Sequence, residues 1–168
     1  TYSSLGELYA GGTAFGPGYP ATVGAYQTTA TATAGSGMTD VVISKYASDG
    51  TSLLYSTYLG GGTGTTGTET IHSMIEDYDG NLCVYGATSS TNFPTTIGAF
   101  DSTFNGGTSV YFVSNGSNFD IGTDIYVTKF NSAGTALIGS TYVGGSLNDG
   151  VNANINPDIY DTLMYKYG

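Results

Sequence analysis

The sequence predicts an all-β protein assembled from a repeated antiparallel sheet, and three observations predict it. The 168 residues include 27 glycines and 15 tyrosines, with abundant Thr and Ser and no Trp. That mixture is poor in helix formers and rich in strand and turn residues. Two long blocks of sequence recur, and apolar runs face each other across short glycine-containing turns.

The repeat comes first because it sets the unit. "GELYAGGTAFGPGYPATVGAYQTT" (Gly6 to Thr29) matches "GNLCVYGATSSTNFPTTIGAFDST" (Gly80 to Thr103) at an offset of 74. "TDVVISKYASDGTSLLYSTYLGG" (Thr39 to Gly61) matches "TDIYVTKFNSAGTALIGSTYVGG" (Thr123 to Gly145) at an offset of 84, with 12 of 23 positions identical. The offsets differ by ten, so the second copy carries ten extra residues, placed within "FNGGTSVYFVSNGSNFDIG" (Phe104 to Gly122). An insertion confined to one interval marks a loop that the scaffold tolerates.

Strand signals follow in order along the chain. "DVVISKY" and "SLLYSTYL" flank "ASDG", "IHSMIED" and "NLCVYGAT" flank Tyr78-Asp79-Gly80, and "DIYVTKF" and "ALIGSTYV" flank "NSAG". Each reads as a hairpin, the Asp-Gly pair being the strongest short signal. One unit is thus four antiparallel strands. Residues 1–62 read as a partial unit holding strands 2 to 4, residues 63–145 as a complete unit with its insertion at about 104–122, and residues 146–168 as the start of a third.

Bulky groups alternate onto both faces: Val41, Ile43 and Lys45 against Val42, Ser44 and Tyr46, and Ile125, Val127 and Lys129 against Tyr126, Thr128 and Phe130. Such strands call for cover on both sides. Radially stacked four-stranded sheets, the blades of a β-propeller, provide it. The phrase written twice, "STYLGG" and "STYVGG", then reads as the outer strand of a blade with a Gly-Gly exit, glycine serving a sharp turn with positive φ. Propellers close with four or more blades, so two and a fraction read as part of a larger ring. The start at Thr1, without Met, reads as a processed product or a piece of something longer.

Thirteen acidic residues against three basic ones give a net charge of -10. Phosphate backbones and anionic membrane surfaces are therefore disfavoured partners. No apolar stretch reaches the roughly 18 residues of a membrane-spanning helix. Cys83 is the only cysteine, which rules out an intrachain disulfide, and its apolar setting in "NLCVYG" predicts a buried structural thiol.

At "STYLGGG", "DYDGNLCVYGATSSTNFPTTIGAFDSTFNGG" and "DIYVTKFNSAGTALIGSTYVGGSLNDG" the chain resembles the bacterial SBBP β-propeller repeat. Its unit reads as a Tyr-Leu-Gly-Gly exit, an Asp-Gly-Asn hairpin, a Gly-x-Thr-x-Ser-x-x-Phe-Pro loop and a Thr-Lys-Phe/Leu strand. The resemblance spans nearly the whole chain and departs only at "AFGPGYPAT", where Tyr-Pro replaces Phe-Pro. It is closest in character to versions in large surface proteins of Bacteroidota, associated with gliding motility or carried by the type IX secretion system. That resemblance implies export to the cell surface, with further blades or domains, surface glycans or other outer-membrane proteins as partners.

Candidate chemistry is sparse. His72, the only histidine, lies mid-strand in "TIHSMIE" and predicts a structural role. Asp77, Asp79 and Asn81 offer oxygens to a calcium ion, but the later bidentate Glu of a calcium loop is missing, and a plain turn is the expectation. No cofactor is otherwise implied. No carboxylate pair stands out for glycoside hydrolysis, since the adjacent Glu76 and Asp77 would point to opposite faces of a strand. "DST" and "DTL" match the short O-glycosylation pattern of exported Bacteroidota proteins, making Ser102 and Thr162 candidate acceptors under that resemblance. Tyr111 and Phe112 in the insertion are candidates for an aromatic ligand loop. The expected function is a noncatalytic structural or adhesive module of an exported surface protein, with a carbohydrate-binding propeller as the alternative and a polysaccharide hydrolase third.

Overall fold

The computed structural model describes residues 1–62, 66–112 and 116–151. Nine strands follow one another without a helix among these residues: β1 (Leu8–Ala14), β2 (Asp40–Tyr46), β3 (Leu53–Leu59), β4 (Glu69–Glu76), β5 (Leu82–Thr88), β6 (Val110–Phe112), β7 (Ser117–Phe119), β8 (Asp124–Phe130) and β9 (Leu137–Val143). Short turns supply the first level of order, and the three expected hairpins, β2–β3, β4–β5 and β8–β9, all form. In each turn a glycine N–H donates to the carbonyl three residues back: Gly50 to Ala47 at 2.8 Å, Gly80 to Asp77 at 3.1 Å, and Gly134 to Asn131 at 2.9 Å. All three glycines have φ between 67° and 80°, where a side chain would be strained.

The strands pair antiparallel into a three-stranded sheet, β1-β2-β3, a four-stranded sheet, β4-β5-β8-β9, and a two-stranded ribbon, β6-β7. The repeated phrase forms β3 and β9, each at an edge of its sheet. Register shows that β1, β2 and β3 are equivalent to β5, β8 and β9. Gly11 pairs with Ile43 as Tyr85 pairs with Val127, and Val42 pairs with Tyr58 as Tyr126 pairs with Tyr142.

The links between strands repeat too. Tyr58 Oη accepts the Tyr19 N–H at 2.8 Å, and Tyr142 Oη accepts the Phe93 N–H at 2.8 Å. Thr22 and Thr96 exchange the same bonds with the backbones of Ser56 and Ser140, their hydroxyls accepting the N–H groups at 3.0 Å each. Both long connections are thereby sewn to the outer strand of their own sheet. The second also carries β6 and β7, so the insertion is a small ribbon whose Val110 and Phe119 pack with Val151 in a separate apolar cluster.

One core lies between the two sheets. Tyr9, Val41, Ile43, Tyr55 and Leu59 of the first meet Leu82, Val84, Tyr126, Phe130 and Tyr142 of the second, with Phe93 wedged among them. Phe93 stacks on Tyr126 at a centroid distance of 4.5 Å. β4 crosses β1 where Gly11 leaves room, a Cβ there falling 2.8 Å from Ile71 and 2.9 Å from Met74.

Two expectations need correction. Cover on both faces holds for β2, buried along almost its whole length, but β8 alternates and leaves Val127 exposed. In the exits Gly60, Gly61, Gly144 and Gly145 do not use positive φ, whereas Gly62, which follows the first pair, adopts it at 95°. The paired glycines are small because of what lies against them, since a Cβ on Gly60 would overlap Asp40 Oδ1 and sit 2.8 Å from Glu69 Oε2. Among the described residues no helix is long and apolar enough to cross a membrane.

Candidate functional site

The chemically distinctive place in the molecule is where the exit from the first sheet enters the second. Glu69 opens β4 and Asp40 opens β2, and the strands meet because the Glu69 N–H donates to Thr39 O at 2.7 Å while the Thr39 hydroxyl donates to Glu69 O at 2.8 Å. Both carboxyl groups are fully buried.

Asp40 Oδ2 accepts the N–H groups of Thr31 at 2.6 Å and Ala32 at 3.1 Å, and Oδ1 accepts the Thr31 hydroxyl at 2.5 Å. Glu69 Oε1 accepts hydroxyls from Thr88, at 2.7 Å, and Ser90, and Oε2 accepts the Gly61 N–H at 3.2 Å. Burial pushes the Glu69 carboxyl up to about 7; the Ser90 and Thr88 hydroxyls pull the other way, and the charge of Asp40 raises it again.

The same arrangement recurs at the exit from the second sheet. Asp124 accepts the N–H groups of Asn105 at 2.7 Å and Gly106 at 3.0 Å. Asp149 N–H donates to Thr123 O at 2.8 Å, and the Asp149 carboxylate accepts Gly145 N–H at 2.8 Å, as Glu69 does from Gly61. Burial raises the Asp124 carboxyl, with Asp149 and Asp101 adding to the effect. Each pair ties the acid that opens β2 or β8 to the Gly-Gly exit of the same sheet and to the acid that follows that exit. Asp40 and Glu69 are both closed off from solvent.

A second polar knot ties the far end of β4 to the first sheet. Lys45 Nζ lies 2.7 Å from Glu7 and 3.7 Å from Glu76, and Tyr9 donates its hydroxyl to Glu76 Oε2 at 2.6 Å. Lys45 lowers the Glu7 carboxyl, and burial followed by Glu76 raises the Tyr9 phenol.

The residues singled out in the sequence lie apart from these knots. Asp77 caps the β4–β5 turn, its Oδ1 accepting the N–H groups of Asp79 and Asn81 at 2.9 Å each and its Oδ2 held by Lys129 at 2.5 Å and by the Asn81 amide at 3.1 Å. The Lys129 bond leads in holding the Asp77 carboxyl well below the usual range. These are turn contacts, and among the described residues no group of three or more His, Cys, Asp or Glu is placed to hold a metal ion. His72 sits at a bulge in β4, exposed, with its ring edge-on to Tyr85 at 6.0 Å. Cys83 is half-buried rather than buried, because it faces outward from the second sheet opposite Lys129.

Ser102 is exposed, beside an Asp101 that accepts the Thr103 N–H at 2.7 Å. Tyr111 projects from the ribbon, 61% exposed. Thr162 and the side chain of Phe112 lie outside the described residues. Sequence reasoning missed Asp40 and Glu69. The available signal was the Thr-Asp that opens the same strand in both copies, Thr39-Asp40 and Thr123-Asp124, an acid heading an apolar run. Set against known proteins, the chain matches no family model, and no curated protein matches it.

Proposed function

We propose that the chain is a noncatalytic structural module, a set of blades from a β-propeller of the SBBP type, within an exported bacterial surface protein that serves attachment or gliding. The observation that carries this reading is the repeated latch. Equivalent acids, Asp40 with Glu69 and Asp124 with Asp149, join each sheet's exit to the residues that follow, and each accepts at least one backbone N–H. Acids committed to joining units support a scaffold role, and the polar, weakly charged composition fits an extracellular setting. Further blades or domains are the first partners in this reading. Ser102 is its candidate glycan acceptor, being exposed on a loop.

The test is fractionation of the source cells with an antibody raised against the chain. A surface-exposed mature protein with a mass well above 17.2 kDa is expected. A cytosolic protein of that mass would refute the reading. The carbohydrate-binding alternative is favoured by Tyr111, an exposed aromatic on a ribbon whose other side has its own apolar cluster. Glycan-array binding lost in Tyr111→Ala would establish it.

A further inference from the structure

We infer that the ribbon β6-β7 is a clasp: it reaches back from the second unit and holds shut the joint between the two sheets at which Asp40 and Glu69 are buried. The ribbon lies within the interval that carries the ten extra residues of the second copy. Asn105 and Gly106 match Thr31 and Ala32 at an offset of 74, and Thr123 and Asp124 match Thr39 and Asp40 at an offset of 84, so the extra residues fall between Gly106 and Thr123. The N–H groups of Asn105 and Gly106 donate to Asp124 as those of Thr31 and Ala32 donate to Asp40. The first copy makes these bonds without an insertion, so the opening of β8 does not require one.

What the ribbon adds is contact with other parts of the chain. Asn118 pairs with Tyr111 in register, yet both of its main-chain groups bond outside the ribbon: its N–H donates to Gly37 O at 3.2 Å, and its carbonyl accepts the Thr68 hydroxyl at 2.6 Å. Gly37 stands just ahead of Thr39 at the entry to β2, and Thr68 immediately precedes Glu69 at the entry to β4. Thr39 and Glu69 are the residues whose reciprocal bonds join the two sheets. A single residue of the ribbon thus bridges the two segments that lead into the joint. The approach is close, since a Cβ on Gly37, whose φ is 80°, would fall 3.2 Å from Gly116 O. Thr68 is fully buried, so its bond to Asn118 is made away from water, where losing it costs most.

The ribbon is anchored independently of that grip. Val110 and Phe119 pack with Val151, beyond the exit of the second sheet. Asn148 at the same exit donates its amide to Thr108 O at 2.9 Å, while its Oδ1 accepts the Thr123 N–H at 3.1 Å. One part of the ribbon is therefore fixed to its own unit and another bears on the joint with the unit before it, as a strap requires. Opening the joint then breaks the Thr39–Glu69 bonds and the Asn118 bonds together, which places this local opening at a higher free energy than the sheet contact alone would. The clasp does not depend on where the protein works or what it attaches to, so cell fractionation and the experiment below can fail separately.

The experiment is hydrogen–deuterium exchange read by mass spectrometry on the 168-residue chain, on Thr68→Val and on a chain lacking residues 109–118. Valine keeps the shape of Thr68 and removes only the hydroxyl that reaches Asn118. In Thr68→Val, peptides over residues 37–40 and 66–70 are expected to exchange on the order of fivefold faster than in the wild type, as for one lost hydrogen bond, while peptides over β8 and β9 keep their wild-type rates. In the shortened chain the same two regions are expected to accelerate by roughly tenfold or more, since both Asn118 bonds are gone. Thr68→Val decides the question where the shortened chain does not fold. Wild-type exchange over residues 37–40 in Thr68→Val would overturn the clasp. So would an equal acceleration in β8 and β9, because it reports a general loss of stability rather than a freed joint.

Discussion

Glu69 makes the stability of this protein depend on pH near neutrality. Its carboxyl is raised from 4.5 to about 7 in the folded protein, with burial as the main cause. A raised carboxyl binds its proton more tightly when folded, so its contribution is full below pH 4.5 and is lost as pH climbs through about 7. At about 1.4 kcal/mol for each tenfold difference in proton affinity, the full contribution is about 3–4 kcal/mol, of which about 2–3 kcal/mol is lost between pH 5 and pH 9. Glu69→Gln removes the titration. The amide oxygen can still accept from Thr88 and Ser90, but the amide nitrogen faces the Gly61 N–H, a mismatch costing about 1–3 kcal/mol at every pH. Urea unfolding of both proteins between pH 5 and pH 9, followed by circular dichroism, measures the difference between them. Asp124 is raised as well, but it titrates in both proteins and cancels in that difference. The gap in favour of wild type should therefore close by about 2–3 kcal/mol across the range. Parallel curves, their separation changing by less than about 1 kcal/mol, would refute the claim that the buried acid takes up a proton on folding.

Three further outcomes follow from the same geometry. Gly60→Ala pushes a methyl group into the Asp40 and Glu69 carboxyls and should cost about 2 kcal/mol or more in urea unfolding, whereas Gly12→Ala, with nothing within 4 Å of the new Cβ, should stay within about 1 kcal/mol of wild type. Phe93→Ala removes the ring wedged between the sheets and should cost about 3–5 kcal/mol, read as a lower urea midpoint without a change in fold by circular dichroism. Excess calcium should leave the melting temperature unchanged, because both Asp77 oxygens are already engaged by the turn and by Lys129; a rise of several degrees would restore Asp77, Asp79 and Asn81 as ligands.

The hairpins were legible because the Asp-Gly and Ala-Gly turns dictate them locally, and the sheets were legible because the repeat aligns strand with strand. Gly60 shows where legibility ended. Its smallness was visible, but a positive-φ turn and a crowded neighbour leave the same letter in the sequence, and only the approach of Asp40 and Glu69 distinguishes them. The acid pair itself was hidden because its members open strands of different sheets, and the Thr39–Glu69 backbone contact that joins them is tertiary. Cys83 was misjudged for a related reason. Its neighbours in sequence are apolar, yet the pleat turns it to the outward face opposite Lys129. Alternation predicted that β2 and β8 present bulky groups on both sides, but what covers each side is decided by the next sheet, and β8 has only one within the described residues.

The two latches differ in a way that the same logic explains. Glu69 is long enough to reach the hydroxyls of Thr88 and Ser90, which lie at the end of β5, the strand paired with its own. Asp149 keeps the backbone bond to Gly145 but has no such hydroxyl partner among the described residues, and it is only half-buried. A carboxyl is driven toward its neutral form by loss of water more than by any single neighbour. The complete latch is thus the one that a neighbouring strand seals from solvent. Sealing raises the proton affinity of Glu69, so the contact that joins the two sheets also governs the protonation of the acid at their junction.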